Sequence, residues 1–173
     1  MVAKRLREII LLGIAMVIVV ADQVSKSWVR QHAIMGVPWD PVPWLRPVLS
    51  ITYGTNTGAA FGLFPQFGGI YAMLAVVVIA MILFLHRYLA AQGWLIQASL
   101  ALQLGGAVGN LIDRLARGTV TDFIDLNFWP MQQWAVFNVA DSALVVGVCV
   151  LAVHLLFTKE SPPATTPAIG NEG

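Results

Sequence analysis

Four long apolar segments alternate with shorter polar ones and predict four membrane-spanning helices. A helical span needs roughly 20 residues, and the candidates are 9–28, 70–86, 94–112 and 134–157. The first has a run of only 13 uncharged residues before Asp22. Asp22 and Lys26 lie four residues apart, so on a continuing helix they share one face and can pair. A basic start and a short apolar run also fit a cleaved signal peptide, but no small-x-small cleavage site follows the run.

The segment between the first two spans has a different pattern. Residues 36–67 include five prolines, which exclude a long helix. Residues 48–53 are β-branched and aromatic and predict a short strand, and a turn-rich stretch of small residues begins at Asn56. Irregular backbone cannot face lipid. We therefore expect this segment to lie outside the membrane or to cover a cavity.

The remaining polar segments are a connection and a tail. Residues 113–133 join the third and fourth spans, and residues 159–173, rich in Pro, Thr, Ala and Gly, predict a disordered tail. Within the third span, Gly105, Gly106 and Gly109 predict close packing against neighbouring helices, because small residues let two backbones approach.

An even number of spans places both termini on the same side of the membrane. The three basic residues at the start, Lys4, Arg5 and Arg7, favour the cytoplasm for that side. Segments 36–67 and 113–133 then share the outer face.

Composition and charge agree with a membrane protein. The chain is 58% hydrophobic and 11% charged, whereas soluble domains are about 25% charged. A net charge of +1 argues against a nucleic-acid partner. The single cysteine, Cys149, excludes an internal disulfide. The absence of a Cys–His cluster argues against a structural zinc site, and His32, His86 and His154 have no partners at ligand spacing, so we expect no metal.

Acidic residues concentrate around the last two spans. Four of the nine in the chain are Asp113, Asp122, Asp125 and Asp141. A carboxylate at the centre of a span costs roughly 2.5–3.5 kcal/mol on insertion scales, which suggests a functional reason for Asp141, about a third of the way into the predicted fourth span. We predict that Asp122 and Asp141 meet. Two close carboxylates cannot both ionise, and such a pair can activate water against a peptide carbonyl, as in aspartic proteases.

These acids also have structural interpretations. Asp122 could cap a turn, and Asp141 could pair with Arg114. We interpret Asp113 and Asp125 as solvated or capping residues.

Polar neighbours offer similar alternatives. Arg114, four residues after Asn110, could hold a carboxylate or extend to the membrane interface. Asn138 lies three residues before Asp141 on the same helix face. It could orient that acid, bind a substrate backbone, cap the helix or join two helices.

Three other functions fit parts of the pattern. Buried acids also serve proton-conducting transporters, although here they lie towards one face of the membrane. A membrane phosphotransferase of the CDP-alcohol type would use acids near Gly118, but Asp122 and Asp125 are three rather than four residues apart and the Asp-Gly start is missing. A structural assembly protein would keep its function after the substitution Asp141→Asn.

Five short motifs occur in order within residues 9–157. They are Asp22-Gln-Val-Ser-Lys26, Asn56-Thr-Gly-Ala-Ala-Phe61, Gly109-Asn110-Leu-Ile-Asp113-Arg114, Asp122-Phe-Ile-Asp125 and Phe137-Asn138-Val-Ala-Asp141-Ser142. Together they resemble the motifs of bacterial lipoprotein signal peptidase, the signal peptidase II family. Thr121 is a departure, because the family commonly has a hydrophobic residue before the catalytic aspartate.

The resemblance implies a fold and a function. The fold is an all-α membrane protein, one domain over residues 1–158, with four transmembrane helices and a small extracytoplasmic β-cradle and flap in 36–67. The function is that of an intramembrane aspartyl endopeptidase of the bacterial inner membrane. Such an enzyme removes the signal peptide from a prolipoprotein by cutting before the diacylglyceryl-modified cysteine, near the outer face.

The resemblance also implies roles for particular residues. Asp122 and Asp141 are the catalytic pair, and no cofactor is implied. The residues lining the site are Asn56, Asn110, Arg114 and Asn138, and those supporting it from the first helix are Asp22 and Lys26. The implied partners are the lipid-modified prolipoprotein, membrane lipid and globomycin-type inhibitors. We also expect the strand at 48–53 to hold the substrate backbone by strand addition.

Overall fold

A computed structural model describes residues 2–57, 68–89 and 93–157 of the chain. This described part contains four helices that are long and apolar enough to cross a membrane. They are α1 (Val2–His32), α2 (Gly68–Leu89), α3 (Trp94–Arg117) and α4 (Val139–Phe157). The predicted fold class, four spanning helices with a small sheet, is confirmed.

Helix α3 lies at the centre of the bundle. It packs against α1, α2 and α4, and most of its apolar stretch is buried, whereas the apolar stretches of the other three are largely exposed. Exposed Val, Leu, Ile and Met side chains on those three helices suit contact with lipid chains. The buried core joins α1, α2 and α3 through Leu11, Ala15, Ile82, Ile96, Leu100, Ala101 and Leu104.

Glycines of α3 set how closely α1 and α4 approach. A Cβ atom built on Gly106 would collide with the carbonyl oxygen of Ala140 and the side chain of Leu144, both on α4. One built on Gly109 would lie 2.7 Å from Oδ2 of Asp22 on α1. The close packing predicted from these glycines is confirmed, and it occurs at the level where acidic side chains converge.

Replacing Gly106 by alanine is expected to reduce the free energy of unfolding by about 1–3 kcal/mol, because a main-chain carbonyl cannot rotate away from the added methyl group. Gly13→Ala is the matched control, since nothing lies within 4 Å of a Cβ at that position of α1. The midpoints of thermal unfolding in detergent compare the two variants. Equal midpoints would contradict the close contact between α3 and α4.

The sheet combines strands from the segment between α1 and α2 with one from the segment between α3 and α4. Its antiparallel strands, in the order β1-β2-β3, are β1 (Pro38–Trp39), β2 (Leu49–Asn56) and β3 (Val120–Leu126). The strand expected at 48–53 corresponds to β2. Strand β3 was not predicted, because Asp122 and Asp125 interrupt the apolar pattern by which a strand is recognised. It pairs with β2 so that Gly54 lies opposite Asp122.

We expected the substrate backbone to pair with the strand at 48–53. This prediction is wrong for the centre of that strand. Ile51 pairs with Trp39 on one side and with Ile124 on the other. A strand with neighbours on both sides offers no free backbone groups to a further strand.

Two helix boundaries differ from the sequence prediction. Helix α1 continues to His32, and α4 begins at Val139 rather than near residue 134. Phe137 forms an isolated β-bridge with Ile124, so the chain is still paired with β3 just before the helix begins. Asp141 therefore lies in the first turn of α4 and not a third of the way into a span. Of the cradle and flap predicted at 36–67, residues 58–67 lie outside the described residues, as does the tail predicted at 159–173.

Candidate active site

Asn138 and Asp141 form the start of α4 together. The backbone N–H of Asp141 donates to Oδ1 of Asn138 at 2.9 Å, and the backbone N–H of Asn138 donates to Oδ2 of Asp141 at 3.2 Å. This reciprocal pattern is a capping box, which satisfies two N–H groups that a helix start leaves without partners. The carboxylate of Asp141 is thereby fixed relative to the first turn of α4.

Asn138 also connects Asp141 to Asp122. Its Nδ2 donates to Oδ1 of Asp122 at 2.7 Å and lies 3.2 Å from Oδ1 of Asn110. Strand β3 is held beside the start of α4 by the carbonyl of Phe137, which accepts the backbone N–H groups of Phe123 and Ile124 at 2.9 and 2.7 Å. The structure therefore brings together the two carboxylates paired in the sequence analysis, with one asparagine contacting both.

Two further asparagines contact the acidic pair. Nδ2 of Asn110 donates to Oδ1 of Asp141 at 2.7 Å. The side chain of Asn56, at the end of β2, hydrogen-bonds Asp122. Each carboxylate thus has an amide partner of its own besides the shared Asn138.

A cavity of about 490 Å³ opens beside these residues. One part of its lining is polar and consists of Asn56, Asn110, Arg114, Asp122, Asp141 and Ser142. The other part is mostly apolar and consists of Val120, Leu126, Met131, Trp134, Ala135, Val136, Phe137, Leu144, Val145 and Val146. The cavity can therefore accept a molecule that is polar at one end and hydrocarbon-like along its side.

Arg114 places a positive charge at this cavity. Its guanidinium carbon lies 6.0 Å from the ring centroid of Tyr71 on α2, and its charge acts on both Asp122 and Asp141. A guanidinium over an aromatic ring is held by the negative face of that ring. Arg114 therefore lines the cavity.

The carboxyl group of Asp122 holds a proton more tightly than an ordinary aspartate. Burial, followed by the nearby charge of Asp141, raises its pKa to about 7, and this rise is opposed by hydrogen bonds from Asn138 and Asn56 and by the charge of Lys26. The first two effects disfavour the ionised form, and the others favour it.

This pKa predicts a pH-dependent gain in stability for Asp122→Asn. An unfolded aspartate titrates near pH 3.9. Between there and about pH 7 the folded protein keeps a proton that the unfolded chain has lost, so the carboxyl group makes folding progressively less favourable as pH rises. The neutral variant is expected to unfold several degrees above the parent at pH 8, and this difference should vanish near pH 4. An equal gain at both pH values would contradict the titration.

Asp22, Lys26 and Asp113 form a buried ionic cluster behind the cavity. Nζ of Lys26 lies 2.8 Å from Oδ2 of Asp22 and 3.3 Å from Oδ2 of Asp113, and all three side chains are fully buried. The pairing of Asp22 with Lys26 predicted from their spacing is confirmed. Oδ1 of Asp22 also accepts the backbone N–H of Ala140 at 3.0 Å, which ties α1 to the first turn of α4.

The interpretation of Asp113 as solvated or capping is wrong. Its Oδ1 lies 2.9 Å from Arg117, and its Oδ2 accepts the backbone N–H of Thr121 at 3.0 Å. Burial is tolerated because Lys26 and Arg117 neutralise the charge. The spacing of Asp113 and Arg117, four residues apart on α3, was the one sequence signal for this role.

Asp125 and Thr121 have separate partners. Oγ1 of Thr52 donates to Oδ2 of Asp125 at 2.6 Å, within the sheet, and Asp125 is absent from the described lining of the cavity. The hydroxyl of Thr121 accepts a hydrogen bond from Arg30 at 3.0 Å. Among the described residues, no group of three or more His, Cys, Asp or Glu side chains could hold a metal ion.

Fold and site together define a multi-pass membrane protein in which two carboxylates face one amphipathic cavity. The model of the family Signal peptidase (SPase) II matches residues 14–157. The chain belongs to this family of aspartic-type membrane endopeptidases, so the resemblance seen in its motifs is confirmed.

Curated relatives agree with the family assignment. The lipoprotein signal peptidase of Moorella thermoacetica is 42% identical over 143 residues, which is 83% of this chain and 90% of the relative. That of Bacillus velezensis is 41% identical over 145 residues, 83% of this chain and 92% of the relative.

Solved structures support the same fold. One bacterial membrane enzyme superposes with a TM-score of 0.75 at 28% identity, over 87% of this chain and 93% of its own. A second gives a TM-score of 0.73 at 29% identity, over 86% and 94% respectively.

Proposed function

We propose that this protein is an intramembrane aspartyl endopeptidase that removes the signal peptide from prolipoproteins, cutting before the diacylglyceryl-modified cysteine. The observation that carries the proposal is the pairing of Asp122 and Asp141 at one cavity through Asn138. Family membership and the lipoprotein signal peptidases among its relatives supply the substrate class.

The two carboxyl groups have different protonation states and roles in the reaction, because their surroundings differ. Asp122 keeps the proton, in keeping with burial that raises its pKa to about 7. Asp141 acts as the ionised partner, since it accepts N–H groups from Asn110 and from Asn138 at the start of α4, where the helix dipole also favours a negative charge.

Hydrolysis then follows a balanced exchange of protons. The carboxylate of Asp141 takes a proton from water while the water oxygen bonds to the peptide carbonyl carbon, and Asp122 gives its proton to the carbonyl oxygen. The resulting diol collapses when Asp141 passes its proton to the peptide nitrogen, the C–N bond breaks, and Asp122 recovers a proton from the diol. The pair returns to its starting state without a cofactor.

The lining of the cavity supports a lipid-modified substrate. Its polar part holds the acidic pair, while its apolar part, including Leu144, Val145 and Val146 of α4, offers a surface for acyl chains. Val145 and Val146 are also exposed on the outside of the bundle, so the apolar wall is continuous with the lipid-facing surface. Globomycin-type inhibitors would occupy the same cavity.

The proposal includes an orientation in the bacterial inner membrane. Arg5, Arg7 and Arg87 belong to the end of the bundle that carries the N-terminus, which favours the cytoplasm for both termini. Trp28, Trp39 and Trp134 belong to the opposite end, with the sheet and the cavity. The active site then lies near the outer face.

A gel-shift cleavage assay tests the function directly. Purified protein in lipid or detergent is mixed with a diacylglyceryl-modified prolipoprotein and, as the matched control, with the same prolipoprotein lacking the lipid. We expect loss of the signal peptide from the modified substrate alone, with equal rates in the presence and absence of chelators. A folded protein that cleaves neither substrate would contradict the proposal, and cleavage that chelators abolish would contradict its mechanism.

A further inference from the structure

Lys26 is a fully buried cation whose ammonium group lies close to two carboxylates and one amide oxygen. Its Nζ lies 2.8 Å from Oδ2 of Asp22, 3.0 Å from Oδ1 of Asn110 and 3.3 Å from Oδ2 of Asp113. An ammonium group has three donors and no acceptor. One ammonium proton is directed at Asn110, a residue that contacts the acidic pair.

The contact with Lys26 fixes which way the amide of Asn110 faces. Oδ1 of Asn110 accepts from Lys26 and also lies 3.2 Å from Nδ2 of Asn138. If the amide turned over, its NH₂ group would face two donors, which is unfavourable for a buried group. The NH₂ group is consequently held towards Asp141, to whose Oδ1 it donates at 2.7 Å.

The ionic cluster of Asp22, Lys26 and Asp113 also contacts the strand that carries Asp122. Oδ2 of Asp113 lies 3.3 Å from Nζ of Lys26 and accepts the backbone N–H of Thr121 at 3.0 Å. Thr121 directly precedes Asp122 on β3. Lys26 is thus connected to both carboxylates, through Asn110 to one and through Asp113 to the other.

We propose that Lys26 is a positioning residue for hydrolysis and acts through Asn110, whose N–H it directs at the carboxylate of Asp141. This inference rests on the proposed function. Lys26 is fully buried and absent from the described lining of the cavity, so it does not touch substrate. Its removal should therefore affect the chemical step and leave substrate binding nearly unchanged.

The first test is Lys26→Met in the cleavage assay. We expect kcat to fall about 10- to 100-fold with little change in KM, because a hydrogen bond to the ionised carboxylate loses its fixed direction. In the described residues, the charged groups that face the acidic pair are Lys26 and Asp22 of α1 and Arg114 of α3. With the positive charge of Lys26 removed, the acidic limb of the pH–rate profile should move to higher pH.

A double-mutant cycle with Asn110→Ala separates positioning from general support of the fold. If Lys26 acts through Asn110, adding Lys26→Met to Asn110→Ala should lower kcat by less than about 3-fold beyond the single variant. Losses that multiply, or a Lys26→Met enzyme with the parent kcat and pH profile, would overturn the inference while the parent enzyme still cleaves. A parent enzyme without cleavage would remove the proposed function and this inference together.

Asn110→Asp provides a test that leaves Lys26 in place if Lys26→Met does not fold. The substitution sets an oxygen opposite Oδ1 of Asp141 where the structure has an N–H donor. We expect kcat at neutral pH to fall by more than about 10-fold, with the acidic limb of the profile moved upwards. Activity and a pH profile equal to those of the parent would show that the direction of the amide does not matter and would overturn the inference.

Discussion

Asp122→Asn and Asp141→Asn are each expected to reduce cleavage of a lipid-modified prolipoprotein by at least about 10³-fold. An asparagine at either position neither takes a proton from water nor supplies one to the carbonyl oxygen. Both variants should still fold, because an amide oxygen can replace one carboxylate oxygen as the acceptor for Asn138. Single-turnover cleavage and thermal unfolding, measured on the same samples, distinguish lost chemistry from lost structure.

Asp125→Asn is the matched control for this prediction. It is the same chemical change on the same strand, three residues from Asp122, but Asp125 accepts a hydrogen bond from Thr52 and is absent from the described cavity lining. We expect this variant to keep most of its activity. A loss as large as that of Asp122→Asn, or an active Asp141→Asn enzyme, would refute the assignment of the catalytic pair.

Asn138→Ala is expected to lower cleavage by about 10²-fold and the free energy of unfolding by about 1–2 kcal/mol. The alanine removes the amide that contacts Asp122 and Asn110, and it also removes the acceptor for the backbone N–H of Asp141. The carboxylate of Asp122 loses a fixed partner, and α4 loses its cap.

Asn138→Ser separates these two losses. Serine caps helices nearly as well as asparagine, but its hydroxyl does not reproduce the amide contact with Asp122. This variant should unfold close to the parent temperature and still cleave poorly. If Asn138→Ser recovers full activity, Asn138 serves only as a helix cap, and its role in joining the two carboxylates is disproved.

The sequence predicts most of what depends on local pattern. Hydropathy locates the four helices, and the four-residue spacing of Asp22 and Lys26 predicts their ion pair. The order of five motifs indicates the family that the comparison establishes. In each case the signal lies within one segment of the chain, where residue spacing determines which side chains are neighbours.

Three features that depend on contacts between distant segments were missed. Strand β3 is stabilised by pairing with β2 and with Phe137. Its two aspartates interrupt the apolar pattern by which a strand is recognised in the sequence. Asp113 is buried because Lys26, on another helix, neutralises it. The start of α4 was misplaced because residues 134–138 are as apolar as a helix, while the pairing of Phe137 with Ile124 keeps them extended.

The bridge between Phe137 and Ile124 has a consequence for membranes of different thickness. A spanning helix adapts to a thinner or thicker bilayer by tilting. Asp141 lies in the first turn of α4, next to the bridge, so tilting about that end moves the far end of the helix most. The carbonyl of Phe137 also accepts the backbone N–H groups of Phe123 and Ile124, which directly follow Asp122 on β3. We therefore expect the spacing of the two carboxylates to change little with the thickness of the surrounding bilayer.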